Sequence, residues 1–178
     1  MPDDLTLTKV ERLMLINQFR ILEALGPDET SSYAEQRTIL EDGYESYYDW
    51  KVFGQILSPT SCEEGTEVLD TLTMFDAIRN SLPEGASVDD YPHSRFNGYS
   101  GNEETKSMAF ARFSIEGLGK FSSLPLRETD PWNSHFPMRE VYGRMLAEWR
   151  KVPETDRFDM SEDQLRSVMD AARHPDAD

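Results

Sequence analysis

The sequence predicts an all-α protein: a single multihelical domain spanning residues 1–178, with about six helices. Three observations predict it. Apolar residues recur at three- and four-residue spacing in six separate stretches. A Ser or Thr stands three residues before a Glu or Gln at three of the expected helix starts. No stretch alternates apolar and polar residues as a half-buried strand would, and no fixed-period repeat occurs.

The first helix starts at Thr8-x-x-Glu11 and stops at Gly26-Pro27. Val10, Met14, Ile21 and Leu25 share one of its faces, extended by Leu15 and Leu22. Leu13, Ile16 and Phe19 lie on the other side. A helix apolar on most sides is expected to be central to the fold, or to turn one face to a second subunit. The second helix is expected from Ser32-x-x-Glu35 to Asp42-Gly43, where the glycine breaks or weakens it. Tyr44, Tyr47, Tyr48, Trp50 and Phe53 follow, read as core plus amphipathic surface. An aromatic pocket or a subunit interface is the alternative for that cluster.

Ser58-Pro59 is the expected start of the third helix, which buries Val68, Leu69, Leu72, Phe75 and Ile78. Residues 82–101 form an irregular loop punctuated by Pro83, Gly85, Pro92, Gly98 and Gly101. Its second half, Arg95 to Gly101, is expected to be packed. Asn102 is the expected N-cap of the fourth helix, with Glu103 and Glu104 in its first turn. Pro137 opens the fifth, whose inward face carries Val141, Tyr142, Met145 and Trp149. Ser161-x-x-Gln164 caps the sixth. Residues 1–6 and 174–178 are expected to fray.

Charge narrows the function. The chain carries 34 acidic and 18 basic residues, a net charge of −16. Such a body repels phosphate backbones and anionic headgroups, so neither nucleic acid nor membrane is an expected partner. The acid is dispersed. Residues 1–57 sum to −6, 58–101 to −6, 102–152 to +1 and 153–178 to −5. The fourth and fifth helices are therefore a nearly neutral region on an anionic chain. The lone cysteine, Cys62, allows neither an internal disulfide nor a cysteine-based zinc site. With the acidic start Met1-Pro2-Asp3-Asp4 and no long apolar run, it predicts a cytoplasmic protein.

Motifs for chemistry are absent. The three histidines, His93, His135 and His174, lack metal-ligand spacing. There is no Gly-rich phosphate loop, nucleophile elbow or EF-hand. No catalytic residue, metal site or cofactor is expected. An acid–base pair of His93 or His135 with Asp130, Glu116 or Glu140 is conceivable, but no spacing requires it. The one candidate ligand site lies beneath the 95–102 loop. Phe96, Tyr99, Phe110 and Phe113 would wall it, and Arg95, Asn97 and Asn102 would supply polar contacts.

Several segments, in order, carry a resemblance. They are Leu7-Thr-Lys-Val-Glu-Arg-Leu-Met-Leu-Ile-Asn-Gln-Phe19, Thr38-Ile-Leu-Glu-Asp-Gly-Tyr44 and Phe96-Asn-Gly-Tyr-Ser-Gly-Asn-Glu-Glu104. Pro137-Met-Arg-Glu-Val-Tyr-Gly-Arg-Met-Leu-Ala-Glu-Trp149 and the stretch Ser161 to Ala172 follow. Together they resemble the YfbU family of bacterial proteins, from about Leu5 to Ala172. The resemblance implies an all-α fold and homo-oligomers, and it brings no cofactor or catalytic residue. The acidic termini and the 82–93 segment depart from the family pattern.

Two functional readings follow. In the first, a helical protein self-associates as a dimer or higher homo-oligomer and acts through protein contacts, compatible with a regulatory or stress-related role. In the second, a small molecule is bound or transformed under the 95–102 loop.

Overall fold

The computed structural model describes residues 5–26, 30–54, 56 and 59–173. Pro27, Ser58 and the outermost terminal residues 1–4 and 174–178, on which some expectations fell, lie outside these. The chain is all-helical, and it divides into two compact units, residues 1–59 and 60–178, each with its own core.

In the first unit α1 (Lys9–Leu25) packs on α2 (Thr30–Asp42). The capping box at α1 forms as the sequence predicts. Glu11 N donates to Thr8 Oγ1 at 3.2 Å, and Thr8 N donates to the Glu11 carboxylate at 2.8 Å. The Ser32 start is corrected, because the chain is already helical at Thr30 and Ser32 sits within the first turn.

Gly43 ends α2 in a left-handed turn, φ +73°, that L-residues resist. The Arg12 guanidinium of α1 lies against that turn. Its Nε donates to the carbonyl of Leu40 at 2.8 Å, and its Nη2 to that of Glu41 at 2.9 Å. One helix thus satisfies the orphan carbonyls at the end of the other. Arg37 of α2 ties the pair again, to Glu23 of α1 at 2.7 Å, and also bonds Glu41 on its own helix at 2.8 Å. A 3-10 turn (Glu45–Tyr47) and a π turn (Tyr48–Val52) follow. Leu40 and Tyr48 are sealed between these pieces, with Ile16 and Ile39 beside them.

The second unit is built on α3 (Cys62–Ser81), which packs against α4 (Thr105–Arg112) and α5 (Arg139–Trp149). Helix α6 (Glu162–Asp170) lies on α5. Helix α3 begins at Cys62 rather than Ser58. Ser61 is its cap and Glu64 closes the box, with N–H to oxygen distances of 3.1 Å both ways. Its buried side is wider than one stripe: Thr71, Met74 and Ala77 join Val68, Leu72, Phe75 and Ile78. The central helix of this unit is therefore α3. Helix α1, expected to be buried on most sides, turns one face to α2 and leaves the other uncovered.

Helix α4 also starts later than expected, at Thr105. Glu104 occupies its N-cap position, and Asn102 is exposed on the preceding turn. The reason is that the Glu104 carboxylate turns inward, away from its own helix. Helix α4 runs into a π turn (Phe113–Gly117), where the Phe113 ring lies over Gly117 in space a Cβ would fill. Arg144 repeats the Arg12 device by donating to the carbonyls of Ala171 and Ala172 at 3.2 and 3.0 Å, beyond α6. Among the described residues no strand forms, and no helix is long and apolar enough to cross a membrane.

Candidate functional site

The feature that packing inside the chain leaves unexplained is the outer face of α1. Arg12, Ile16, Phe19 and Glu23 face inward. On the opposite side Val10, Leu13, Met14, Ile21, Leu22 and Leu25 are exposed, from 39% for Leu22 to 76% for Leu25. Asn17 and Gln18, the polar residues among them, carry no charge. In a chain that is 29% charged residues this strip carries one charge, the exposed Glu11, which lies between Gln18 and Leu22 around the helix and accepts from Thr8 N. At roughly 100 Å² of apolar surface per side chain, the six present about 600 Å², the top of the usual range for the largest apolar patch on a monomer.

A second apolar surface lies on the same unit. Tyr44, Tyr47 and Trp50 are exposed around a groove of about 590 Å³, floored by Ala34, Thr38 and Ile39. Lys51 closes one side, paired with Glu35 at 2.8 Å and set over the Trp50 ring at 5.0 Å.

The structure separates the residues expected to form a pocket beneath the 95–102 loop. Phe96 and Tyr99 are fully inside, edge-on to each other at 5.7 Å, with Phe96 edge-on to Phe75 at 5.6 Å and Tyr99 edge-on to Tyr142 at 5.4 Å between ring centroids. Arg95 is paired with Asp89 at 2.5 Å. Asn97 contributes its backbone. Phe110 packs over Gly65, where an added Cβ would meet its ring at 3.3 Å. Phe113 is 58% exposed, and Asn102 faces solvent.

The loop instead forms a knot with a distant segment. Tyr99 N donates to the Trp132 carbonyl at 2.9 Å, and Ser134 N to the Tyr99 carbonyl at 3.1 Å. The Tyr142 hydroxyl accepts from Asn97 N at 3.1 Å and donates to the Gly98 carbonyl at 3.0 Å. Arg127 Nη2 donates to the carbonyls of Asn97, Asp130 and Asn133. Asn133 Oδ1 accepts from Gly101 N and His135 N, both at 3.0 Å. The Glu104 carboxylate accepts from Ser100 N, Met138 N and Arg139 N at 2.8–2.9 Å, so it caps α5 from outside that helix.

Arg139 in turn grips Glu67 with two bonds, 3.0 and 2.6 Å. That bonding raises the guanidinium above even its ordinary value. Burial pushes the Tyr99 and Tyr142 phenols well above the usual tyrosine value, so both stay neutral. Many polar groups of the knot are spent on one another, and these bonds fasten the loop to the Trp132 segment.

His135 does meet Asp130, Nε2 to Oδ2 at 3.2 Å, with both side chains more than half exposed. The residues that sequence reasoning missed are Glu104, Arg127, Trp132 and Asn133. Glu104 carried a signal, an acid near a helix start, but it serves a different helix. The other three make contacts about 30 residues away that no local pattern marks.

Fold and site together define a helical protein with one exposed apolar helix face and a hydrogen-bonded loop knot, in which the buried Tyr99 hydroxyl and Arg127 Nε are left without a hydrogen-bond partner. A protein-family model, that of the YfbU domain, matches residues 5–171, so the chain belongs to the YfbU family. It is 38% identical over 171 residues to a UPF0304 protein of the archaeon Methanocaldococcus jannaschii, covering 93% of this chain and 99% of that one. UPF0304 proteins of Histophilus somni and Actinobacillus succinogenes are 30% and 29% identical, each over 93% of this chain and 99% of theirs. The family is thus not confined to bacteria.

Proposed function

We propose that this protein self-associates and acts through protein–protein contacts, and that it does so in the cytoplasm. The observation that carries the reading is the outer face of α1: six large exposed apolar side chains with a single charge, Glu11, towards one edge. Two copies covering it would bury about 1,200 Å², where specific interfaces begin. Electrostatics support the same place. Copies of a chain of net charge −16 repel, and repulsion is least where the surface carries least charge. The exposed lone Cys62 suits a reducing compartment.

Light scattering on a dilution series at micromolar concentration tests this. The expected result is a mass at least twice the 20.5 kDa of the chain, falling on dilution. A mass that stays at one chain throughout contradicts it.

A further inference from the structure

The six large exposed apolar residues of α1 are arranged symmetrically about one point. Val10, Leu13 and Met14 precede the Asn17–Gln18 peptide bond by the same steps at which Leu25, Leu22 and Ile21 follow it. Reversing the helix about that bond exchanges Val10 with Leu25, Leu13 with Leu22 and Met14 with Ile21. At about 100° per residue, Met14 and Ile21 straddle the middle of the face, and Val10 and Leu25 lie about 30° to either side. The middle of the face points directly away from the inward line of Arg12, Ile16, Phe19 and Glu23. The helix that carries the pattern runs from Lys9 to Leu25, so its centre nearly coincides with the centre of the palindrome.

We infer that α1 pairs with α1 of a second copy, antiparallel, about a two-fold axis through Asn17 and Gln18. This rests on the self-association proposed above and adds the partner element, direction and register. A two-fold interface requires that if residue i meets j, then j meets i, and the face meets that requirement with like residues at its three large apolar pairs, while Glu11 and Ala24 exchange near its edges. Met14 of one copy then lies level with Ile21 of the other, and Val10 with Leu25, so that each pair interlocks. Near the axis Asn17 and Gln18 meet their own copies, and their amides pair with each other instead of being buried against apolar side chains. A single polar position of this kind fixes register in helix pairs. The antiparallel direction also sets each helix N-terminus beside the partner's C-terminus, opposing their dipoles favourably.

Cysteine cross-linking tests the register on the full chain. In a Cys62→Ser background, Met14→Cys and Ile21→Cys are made separately, one carrying a mass tag, and each is oxidised alone and in mixture. Circular dichroism first confirms wild-type helicity. The inference expects most of the mixed sample to run as a disulfide-linked heterodimer and each single variant to stay unlinked, since disulfides need Cα atoms within about 7 Å.

Efficient self-linking of Met14→Cys would set the two Met14 positions level, by parallel pairing or by a two-fold axis at Met14, and either overturns the inferred register. A dimer in solution that links in no combination would overturn α1 as the interface. A monomer by light scattering would remove the underlying self-association instead, so the two failures are distinguishable.

Discussion

A Cβ placed on Gly98 would lie 2.1 Å from the carbonyl oxygen of Trp132, the same oxygen that accepts the Tyr99 amide. Gly98 also has φ +82°, a region costly to residues with a side chain. Both constraints act at one point, where the 95–102 loop crosses the Trp132 segment. Gly98→Ala is therefore expected to cost about 2–4 kcal/mol, from positive-φ strain plus a backbone clash that cannot relax. Gly85 has φ +80° but open space around it, so Gly85→Ala isolates the strain alone, at about 1 kcal/mol. Urea unfolding of both variants measures the difference, and equal losses would contradict the clash.

The Arg12 guanidinium holds the end of α2 from a neighbouring helix. Arg12→Met keeps much of the stem and removes the donors. A loss of about 1–2 kcal/mol is expected, below the full value of charged hydrogen bonds because the group is partly exposed. The amides of Gly43 and Tyr44, both bonded to the Ile39 carbonyl, should exchange hydrogen faster in the variant. Unchanged protection at those two amides would show that Arg12 does not hold the turn.

Alkaline pH offers a test of the aromatic knot. The Tyr142 phenol is raised in the folded protein, chiefly by burial, while the unfolded chain titrates near the ordinary tyrosine value of about 10. Its contribution is thus fully present below pH 10 and is lost as pH rises beyond, because only the unfolded chain can release the proton. The urea midpoint should fall between about pH 9 and 11. Tyr142→Phe should start lower, since Asn97 N loses its acceptor, and then fall less steeply. Parallel pH profiles would contradict this.

Salt tests the electrostatic side of association. If two chains of charge −16 meet across a helix face that holds no ion pair, repulsion between their bodies opposes the dimer and ions screen it. The dissociation constant should tighten as ionic strength rises. Weakening with salt would instead point to an interface held by ion pairs.

Much of the helical frame was legible in the sequence, because capping boxes and apolar spacing are local signals. Thr8 with Glu11 and Ser161 with Gln164 cap as read. Errors came where a residue serves a remote partner. Asn102 reads as an N-cap by type, but Glu104, drawn to the backbone of Met138 and Arg139, moves the helix start past it. Ser58 and Ser61 both suit a helix start, and only Ser61 has Glu three residues on. The pocket expected beneath the 95–102 loop rested on aromatic residue types. Their directions depend on Tyr142, about 45 residues away, which sequence spacing does not encode. The face of α1 was visible from the start as too apolar for one neighbour. The structure added which half of the helix α2 covers.

The central claim, that copies meet on the outer face of α1, is tested most directly by sedimentation equilibrium of wild type beside Met14→Glu/Ile21→Glu. Both substitutions fall on exposed positions, so thermal stability of the monomer should change little. The account predicts a wild-type mass at least twice that of one chain and a variant mass equal to one chain. A variant that associates as the wild type does would contradict it.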